Sequence, residues 1–316
     1  MVYIDSLQSG QRVVGHYLCK DKQTLLTKAG KSYLKLLLQD KTGSVTGMVW
    51  DVNERIGEFE KNDSIKIDAM VTLFQGEKQL NISQIRRSRP DEYDPADYCK
   101  CTRKDRDQLY NELLERIAGM KNPYLKQLLE HFFPAEGEKR EKFMTHPAAK
   151  TVHHNYLGGL LEHEESVMRI GLAFCRQYPA ADEELVIAGA LLHDIGKLRE
   201  LGDAPLCDYS DEGQLLGHIA MGYLMVHEAA AAIPGFPSEL AMQLEHMILS
   251  HHGELEYGSP KVPVTLEAMI LHLADYSDTK LKQVDEAIRE DREQGNWTAY
   301  QRTLGRNLYK ADGAKE

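Results

Sequence analysis

The eight residues Leu185-Val186-Ile187-Ala188-Gly189-Ala190-Leu191-Leu192 are apolar without interruption and run straight into His193-Asp194. A stretch of that composition is expected as a buried helix, and a carboxylate at its end is expensive unless it is paired or binds a cation. A divalent metal removes that cost. Adjacent helical residues project about 100° apart, so His193 and Asp194 can flank one ion, or Asp194 can bridge two with one oxygen on each. Gly196 is expected to let the backbone leave the helix. The competing reading is a helix end that happens to carry His, Asp and Lys, with the histidine hydrogen-bonded in the core.

Further histidines weigh against that competitor. Gly158-Gly159-Leu160-Leu161-Glu162-His163 lies upstream; Gly217-His218-Ile219, Ser250-His251-His252-Gly253 and Leu273-Ala274-Asp275 follow downstream, each in or beside an apolar helical pattern. The order His, His-Asp, His, His, Asp over roughly residues 145–280 resembles the HD superfamily of metal-dependent phosphohydrolases, and specifically its two-metal members. The resemblance implies that His163, His193, Asp194 and Asp275 hold a first metal, with Asp194 bridging to a second held by His218 and His251. His252 is either a further ligand or a hydrogen-bond partner of one. His246, five residues before His251, is off that helical face and reads as structural, while His153 and His154 stand where the mouth of a pocket is expected. A histidine and carboxylate set without cysteine suits Mn²⁺, Fe²⁺, Co²⁺ or Mg²⁺ better than structural zinc. Two such ions would ionise a shared water near neutral pH for attack on phosphorus. Lys197 reads either as a group that steadies the phosphate's developing charge or as a surface lysine favoured at a helix end.

The first 85 or so residues read differently. Ser32–Asp40 and Ser44–Asp51 form a hairpin about the turn Lys41-Thr42-Gly43; Ile65, Ile67, Ala69, Val71 and Leu73 alternate along a further strand that turns at Gln75-Gly76-Glu77-Lys78 into another beginning at Leu80. Asn53 to Glu60 is predicted as a short helix between the hairpins. A strand, a hairpin, a short helix and a second hairpin is the element sequence of the five-stranded OB barrel, which binds oligonucleotides on its open face. The stretch from Leu36 through Trp50-Asp51 resembles the OB domains of nucleic-acid enzymes. Candidate nucleic-acid-binding residues are Tyr33, Lys35 and Trp50, with Lys28 and Lys31 on the preceding loop, since aromatic faces stack bases and lysines neutralise phosphates. The alternative for each is core packing or simple solvation.

The chain is therefore expected to be multidomain, α and β: an N-terminal OB-fold barrel over 1–88, a polar linker over 89–106, and an all-helical HD domain over 107–316. The net charge of −11 divides unevenly along it. Residues 1–90 hold 14 Lys and Arg against 10 Asp and Glu, a net of +4, while the remainder holds 24 against 39, a net of −15. Such asymmetry suggests that the first half meets a polyanion and that the carboxylates of the second are partly engaged by metal or solvent. Cys19, Cys99, Cys101, Cys175 and Cys207 are odd in number and scattered, which suits a reducing compartment rather than a disulfide framework. With no run near the roughly 18 apolar residues of a membrane span and no secretory start, the expected location is the cytoplasm, away from membranes.

The domain order, together with Gly-Gly-Leu-Leu-Glu-His, Ser-His-His-Gly and Gly258-Ser259-Pro260, resembles the YhaM-type 3′-to-5′ exoribonucleases of Gram-positive bacteria. That resemblance implies a manganese-stimulated enzyme shortening single-stranded RNA, with DNA as a second candidate, to nucleoside 5′-monophosphates. Glu164 after His163 departs from the expected small polar residue and is expected to add charge near the site. Two other functions share these residues: an HD phosphodiesterase or phosphatase acting on a cyclic or free nucleotide, against which stands the lack of Gly-Tyr-Pro after His251-His252-Gly253, and a non-catalytic nucleic-acid binder. The sequence leaves oligomerisation open.

Overall fold

The computed structural model describes residues 2–94, 97–98, 101–149, 156–202, 208–291 and 293–311. These fall into two compact units, one ending at Cys101 and the other beginning at Thr102.

In the first unit, β1 (Arg12–Leu26), β2 (Ser32–Asp40), β3 (Gly43–Val49), β4 (Ser64–Phe74) and β5 (Glu77–Arg87) close into a barrel in the order β1-β2-β3-β5-β4. Every pairing is antiparallel except the short parallel one between β3 and β5. This closed five-strand arrangement is the OB fold. The period of two along β2 sets which residues face out: Leu34, Leu36 and Leu38 are buried, while Tyr33, Lys35 and Leu37 alternate with them on the opposite face. Asp40 is buried at the strand end without cost to the fold, because it accepts hydrogen bonds from the backbone N–H of Ile4 (2.7 Å) and Thr42 (2.8 Å) and so ties off the hairpin. At the β4–β5 turn, Gln75 and Gly76 both have positive φ, 52° and 87°, as a two-residue type I′ connection requires.

Asn53 to Glu60 is not helical, which corrects the expectation of a short helix there. Its backbone groups are claimed by the barrel: Gly57 N–H donates to Ile85 O, Ile85 N–H donates to Arg55 O, and Ile56 bridges in parallel to Ile85. The Asn53 side chain meanwhile accepts from Arg55 N–H, a local turn that competes with a helix. Beyond β5, the segment expected as linker contributes a fully buried Tyr98 to the first unit, with Tyr98 O accepting from Gln39 Nε2 and Asp97 O from Lys41 N–H.

The described part of the second unit is built of α1 (Arg106–Ala118), α2 (Pro123–Phe132), α3 (Glu138–Thr145), α4 (Gly159–Gln177), α5 (Glu183–Leu192), α6 (Lys197–Glu200), α7 (Asp211–Ala232), α8 (Ser238–Ser250) and α9 (Leu266–Glu290). At its centre stands α5, started by Asp182, whose carboxylate accepts from the N–H groups of Glu184 and Leu185. All of Leu185 to Leu192 is buried, and α4, α8 and α9 pack around it. Such an all-round apolar helix has no solvent face, so whatever follows its last turn starts inside the protein. Among the described residues no helix is long and apolar enough to cross a membrane.

Candidate metal centre

His193 and Asp194 emerge from the buried end of α5, both essentially inaccessible to solvent. Four further helices bring partners to them. From α4 comes His163, whose Nε2 lies 3.6 Å from Asp194 Oδ2 and 3.4 Å from His193 Nε2. Asp275 of α9 sets Oδ1 3.3 Å from the same His163 nitrogen. On its other side, Asp194 Oδ1 faces His218 Nε2 of α7 at 3.4 Å and His251 Nε2, just past α8, at 3.8 Å. The two oxygens of Asp194 thus look at two different groups of imidazoles. His163, His193 and Asp194 make one set with metal-holding geometry, and His218, His251 and His252 make a second.

The histidines are held by their other nitrogens. Nδ1 donates to Asp278 in His163 (2.8 Å), to Ala190 O in His193 (2.9 Å), to Glu200 in His218 (3.0 Å), to Ile248 O in His251 (2.7 Å) and to Tyr257 O in His252 (3.1 Å). That arrangement fixes each ring's orientation and turns each Nε2 toward the cluster. The side-chain atoms Asp194 Oδ1, His218 Nε2 and His251 Nε2 are buried without a hydrogen-bond partner. Three buried, orphaned acceptors facing one another are costly in a protein interior unless a cation satisfies them. The cysteine-free donor set and its geometry fit a divalent metal.

Two local backbone devices aim the side chains. Gly217 interrupts α7 with φ 72° and ψ 157°, a conformation L-residues avoid, so His218 re-enters the helix with its N–H donated to Glu200 Oε1 at 2.9 Å. Gly196 does not release the chain from a helix, which corrects the expectation for it: its own backbone is right-handed helical. Its role is close approach. A Cβ at Gly196 would overlap the carbonyl oxygen of His218 and come within 2.7 Å of Gly222 N, so only glycine lets the turn after His193-Asp194 nest against α7.

The cluster's charges follow from burial and proximity. Asp194, although burial opposes ionisation, is held well below the usual carboxylate range by Lys197 and by His193, His218 and His251. Burial pushes His193 and, more strongly, His251 down, favouring neutral ligand forms. In His163 burial acts the same way but is overcome by hydrogen bonds to Asp275 and Asp278 and by the nearby Asp194, which bring it up to about 9. Lys197 Nζ donates to Asp194 Oδ2 at 2.5 Å and is largely buried, so it lies in the cluster, not on the surface. Glu164, expected to add charge near the site, is fully buried with no hydrogen-bond partner on either carboxyl oxygen, and burial and Asp194 push it well above the usual carboxylate range, which opposes that charge.

Of the remaining sequence candidates, His246 Nε2 accepts from Val264 N–H and stands apart from the cluster, while His153 and His154 lie outside the described residues. Asp278, Glu200 and Ser166, whose hydroxyl also donates to Asp278, are members of the cluster that the motifs alone do not reveal. The available signal is the i, i+3 spacing of Asp275 and Asp278 on one helix face.

On the barrel, Tyr33 of β2 and Trp50 just past β3 stack with ring centroids 5.0 Å apart and 28° between planes. Trp50 is 46% exposed. Lys35 lies on the same outward register of β2 as Tyr33; Lys28 and Lys31 are exposed in the β1–β2 loop, Lys31 pairing with Asp51 at 2.8 Å.

Residues 160–280 match the HD domain family. The chain is 33% identical over 283 residues to the 3′-5′ exoribonuclease YhaM of a Geobacillus species, covering 89% of this chain and 86% of that one. It is 34% identical over 285 residues to the 3′-5′ exoribonuclease YhaM of Oceanobacillus iheyensis, covering 89% and 88% respectively. Among solved structures, the second OB-fold domain of replication protein A from Methanococcus maripaludis aligns with 27% of this chain and 90% of its own, at 20% identity and a TM-score of 0.22.

Proposed function

The chain belongs to the family of the 3′-5′ exoribonuclease YhaM, and from that membership we propose that it removes nucleotides successively from the 3′ end of single-stranded RNA, and secondarily of single-stranded DNA, releasing nucleoside 5′-monophosphates. It is a metal-dependent hydrolase of the HD class. In this reading His163, His193, Asp194 and Asp275 hold one divalent ion, and Asp194, His218 and His251 hold a second with His252 as a further ligand. The observation that carries it is the division of Asp194, one oxygen toward each set of imidazoles, with Oδ1, His218 Nε2 and His251 Nε2 left as buried orphans. Two divalent ions, Mn²⁺ foremost with Fe²⁺, Co²⁺ or Mg²⁺ as substitutes, would supply there the charge that ionises water near neutral pH and offsets negative charge on the departing oxygen.

The chain's own groups do the rest. Asp278, Glu200 and the three backbone carbonyls accept from Nδ1 of the imidazoles and hold each Nε2 in a fixed direction. Lys197, 2.5 Å from Asp194 Oδ2, stands within the cluster, where its ammonium would meet a phosphate oxygen of the bound strand and spread its charge. The barrel, residues 1–88, grips the strand through the Tyr33–Trp50 stack and Lys28, Lys31 and Lys35, which favours a polymeric substrate over a cyclic or free nucleotide. Cys19 and Cys175, buried as free thiols, support a reducing, cytoplasmic location.

The test combines metal analysis with an end-labelled ladder. Purified protein should carry two Mn²⁺ per chain and convert 5′-labelled single-stranded RNA into a descending ladder. Asp194→Ala should lose the metal and the ladder while still binding RNA. Shortening from the 5′ end, or full activity with a single ion, would reject the proposal.

A further inference from the structure

Past α9 the chain folds back on itself in a small, pinned hairpin. Trp297 bridges to Tyr309 and Gln301 to Arg306 in antiparallel pairing, Thr298 N–H donates to Leu308 O, and Lys310 N–H donates to Asn296 O. Its base is anchored by Lys310, only 4% exposed, whose ammonium donates to Asp291 Oδ2 at 2.5 Å and to Glu293 O at 2.8 Å. A buried ion pair inside so small an element holds one backbone arrangement.

What that frame displays is unusual for a solvent surface. Trp297, Tyr300 and Tyr309 are 58%, 60% and 55% exposed. Trp297 and Tyr309 meet edge to face, centroids 5.3 Å apart and planes at 72°, so at most one ring face of the pair is used by the other. Residues 294–311 carry three Lys and Arg and no Asp or Glu, within a stretch after residue 90 that is otherwise strongly acidic. Arg302 and Arg306 are exposed, and among the described residues neither has a carboxylate partner. Rigid aromatic faces interleaved with guanidinium groups that have no carboxylate partner among the described residues are the combination that binds single-stranded nucleic acid, bases stacking on the rings and phosphates on the arginines. The chain has two tryptophans, and both are exposed beside a tyrosine, one on each unit.

We propose that the hairpin of residues 296–310 is a second binding platform for single-stranded RNA, with Trp297, Tyr300 and Tyr309 stacking bases and Arg302 and Arg306 holding phosphates. It rests on the exoribonuclease reading for the identity of the strand. An anchor of this kind retains a long substrate between cleavages by raising its local concentration, and leaves a short one unaffected.

With Trp50→Phe in the otherwise intact protein, Trp297 is the remaining tryptophan, and its fluorescence reports the platform directly. Titration with a 20-nucleotide oligouridylate in EDTA should quench it saturably. Arg302→Glu with Arg306→Glu should weaken binding about tenfold and lower the salt slope by about 1.4, or about 0.7 for each phosphate no longer neutralised. With Mn²⁺ restored, the same pair of changes should raise KM for a 20-mer and leave kcat and the hydrolysis of bis-p-nitrophenyl phosphate as they were. Absence of quenching, or an unchanged affinity and salt slope after charge reversal, overturns the proposal. So does a charge reversal that alters sedimentation mass but not RNA affinity, which would make the hairpin a protein contact. Quenching without any RNA turnover by the wild-type chain would reject the exoribonuclease reading and leave the platform standing.

Discussion

In the proposed centre each imidazole offers one nitrogen to a metal and donates a hydrogen bond from the other, so the residues behind the histidines are as much part of it as the histidines. Asp278 is the clearest case, because it gives His163 Nδ1 a charged acceptor at 2.8 Å. Asp278→Ala should lower manganese affinity and RNA turnover about 10- to 100-fold, read by equilibrium dialysis and ladder assay, since losses of this size follow removal of a ligand's outer partner. An unchanged affinity would mean that packing alone orients the ring. The same contacts set the pH dependence of the metal-free protein. His163, raised to about 9 when folded, contributes stability that is complete below the unfolded value of 6.5 and lost as pH rises toward 9. His193 and His251 are depressed, so protons bind the unfolded chain better and stability falls as pH drops below 6.5. Melting temperature in EDTA should therefore peak near pH 6.5, and Asp278→Ala should flatten the alkaline limb; a monotonic profile would count against these assignments. At this scale the sequence is informative where polar residues interrupt apolar runs, as at His193-Asp194 and His251-His252. Glu200 and Asp278 offer no such contrast, because an acidic residue in a mixed helix has the pattern of a solvated face, and only the fold turns it inward.

Helices matter here through where they stop. The buried α5 ends at Leu192, α8 ends at Ser250, and α7 is interrupted at Gly217, so His193, His251 and His218 all stand at backbone discontinuities. The all-round apolar composition of α5 is enough to foresee its burial and to mark its end as a site. The nesting of Gly196 against α7 is not foreseeable, since a glycine after a helix signals a left-handed cap as readily as a close approach. The barrel gives the parallel lesson: strands with a strict period of two can be read directly, whereas Asn53 to Glu60 has helix-compatible residues but loses its N–H and C=O groups to β5. Gly196→Ala tests the close approach. With its Cβ overlapping His218 O, the change must push α7 outward, carrying His218 with it, while His163 and Asp275 stay on α4 and α9. The expected result is loss of about one of two bound ions, a fall in turnover of at least tenfold, and destabilisation of about 1–3 kcal/mol as in other overpacked sites. Retention of both ions would show that the interhelical gap yields more easily than the close approach implies.

Across the molecule, the proposed function assigns capture to one unit and chemistry to the other. Each unit has its own hydrophobic cluster, one built on Val13, Leu36, Ile67 and Leu80 of the barrel, the other on Leu113, Leu161, Leu191 and Leu271 of the helices, so each has what independent folding requires. Charge divides along similar lines, with net +4 over residues 1–90 and −15 beyond. An acidic hydrolase unit repels a polyanion at long range, and an attached basic barrel offsets that repulsion where the strand must approach. Removal of residues 1–101 should therefore act unequally on two substrates. Hydrolysis of bis-p-nitrophenyl phosphate, which carries a single charge and needs only the metal cluster, should persist within a few-fold. Binding of a long single-stranded RNA should weaken by at least tenfold and lose part of its salt dependence, the slope falling by about 0.7 for each phosphate that the barrel had neutralised. Restoring the barrel with Trp50→Ala should return the salt slope but not the full affinity, because stacking on the Tyr33–Trp50 pair is insensitive to salt. Equal loss of both activities on truncation would instead make the barrel a structural support for the helical unit, and an unchanged salt slope would assign phosphate binding to the helical unit.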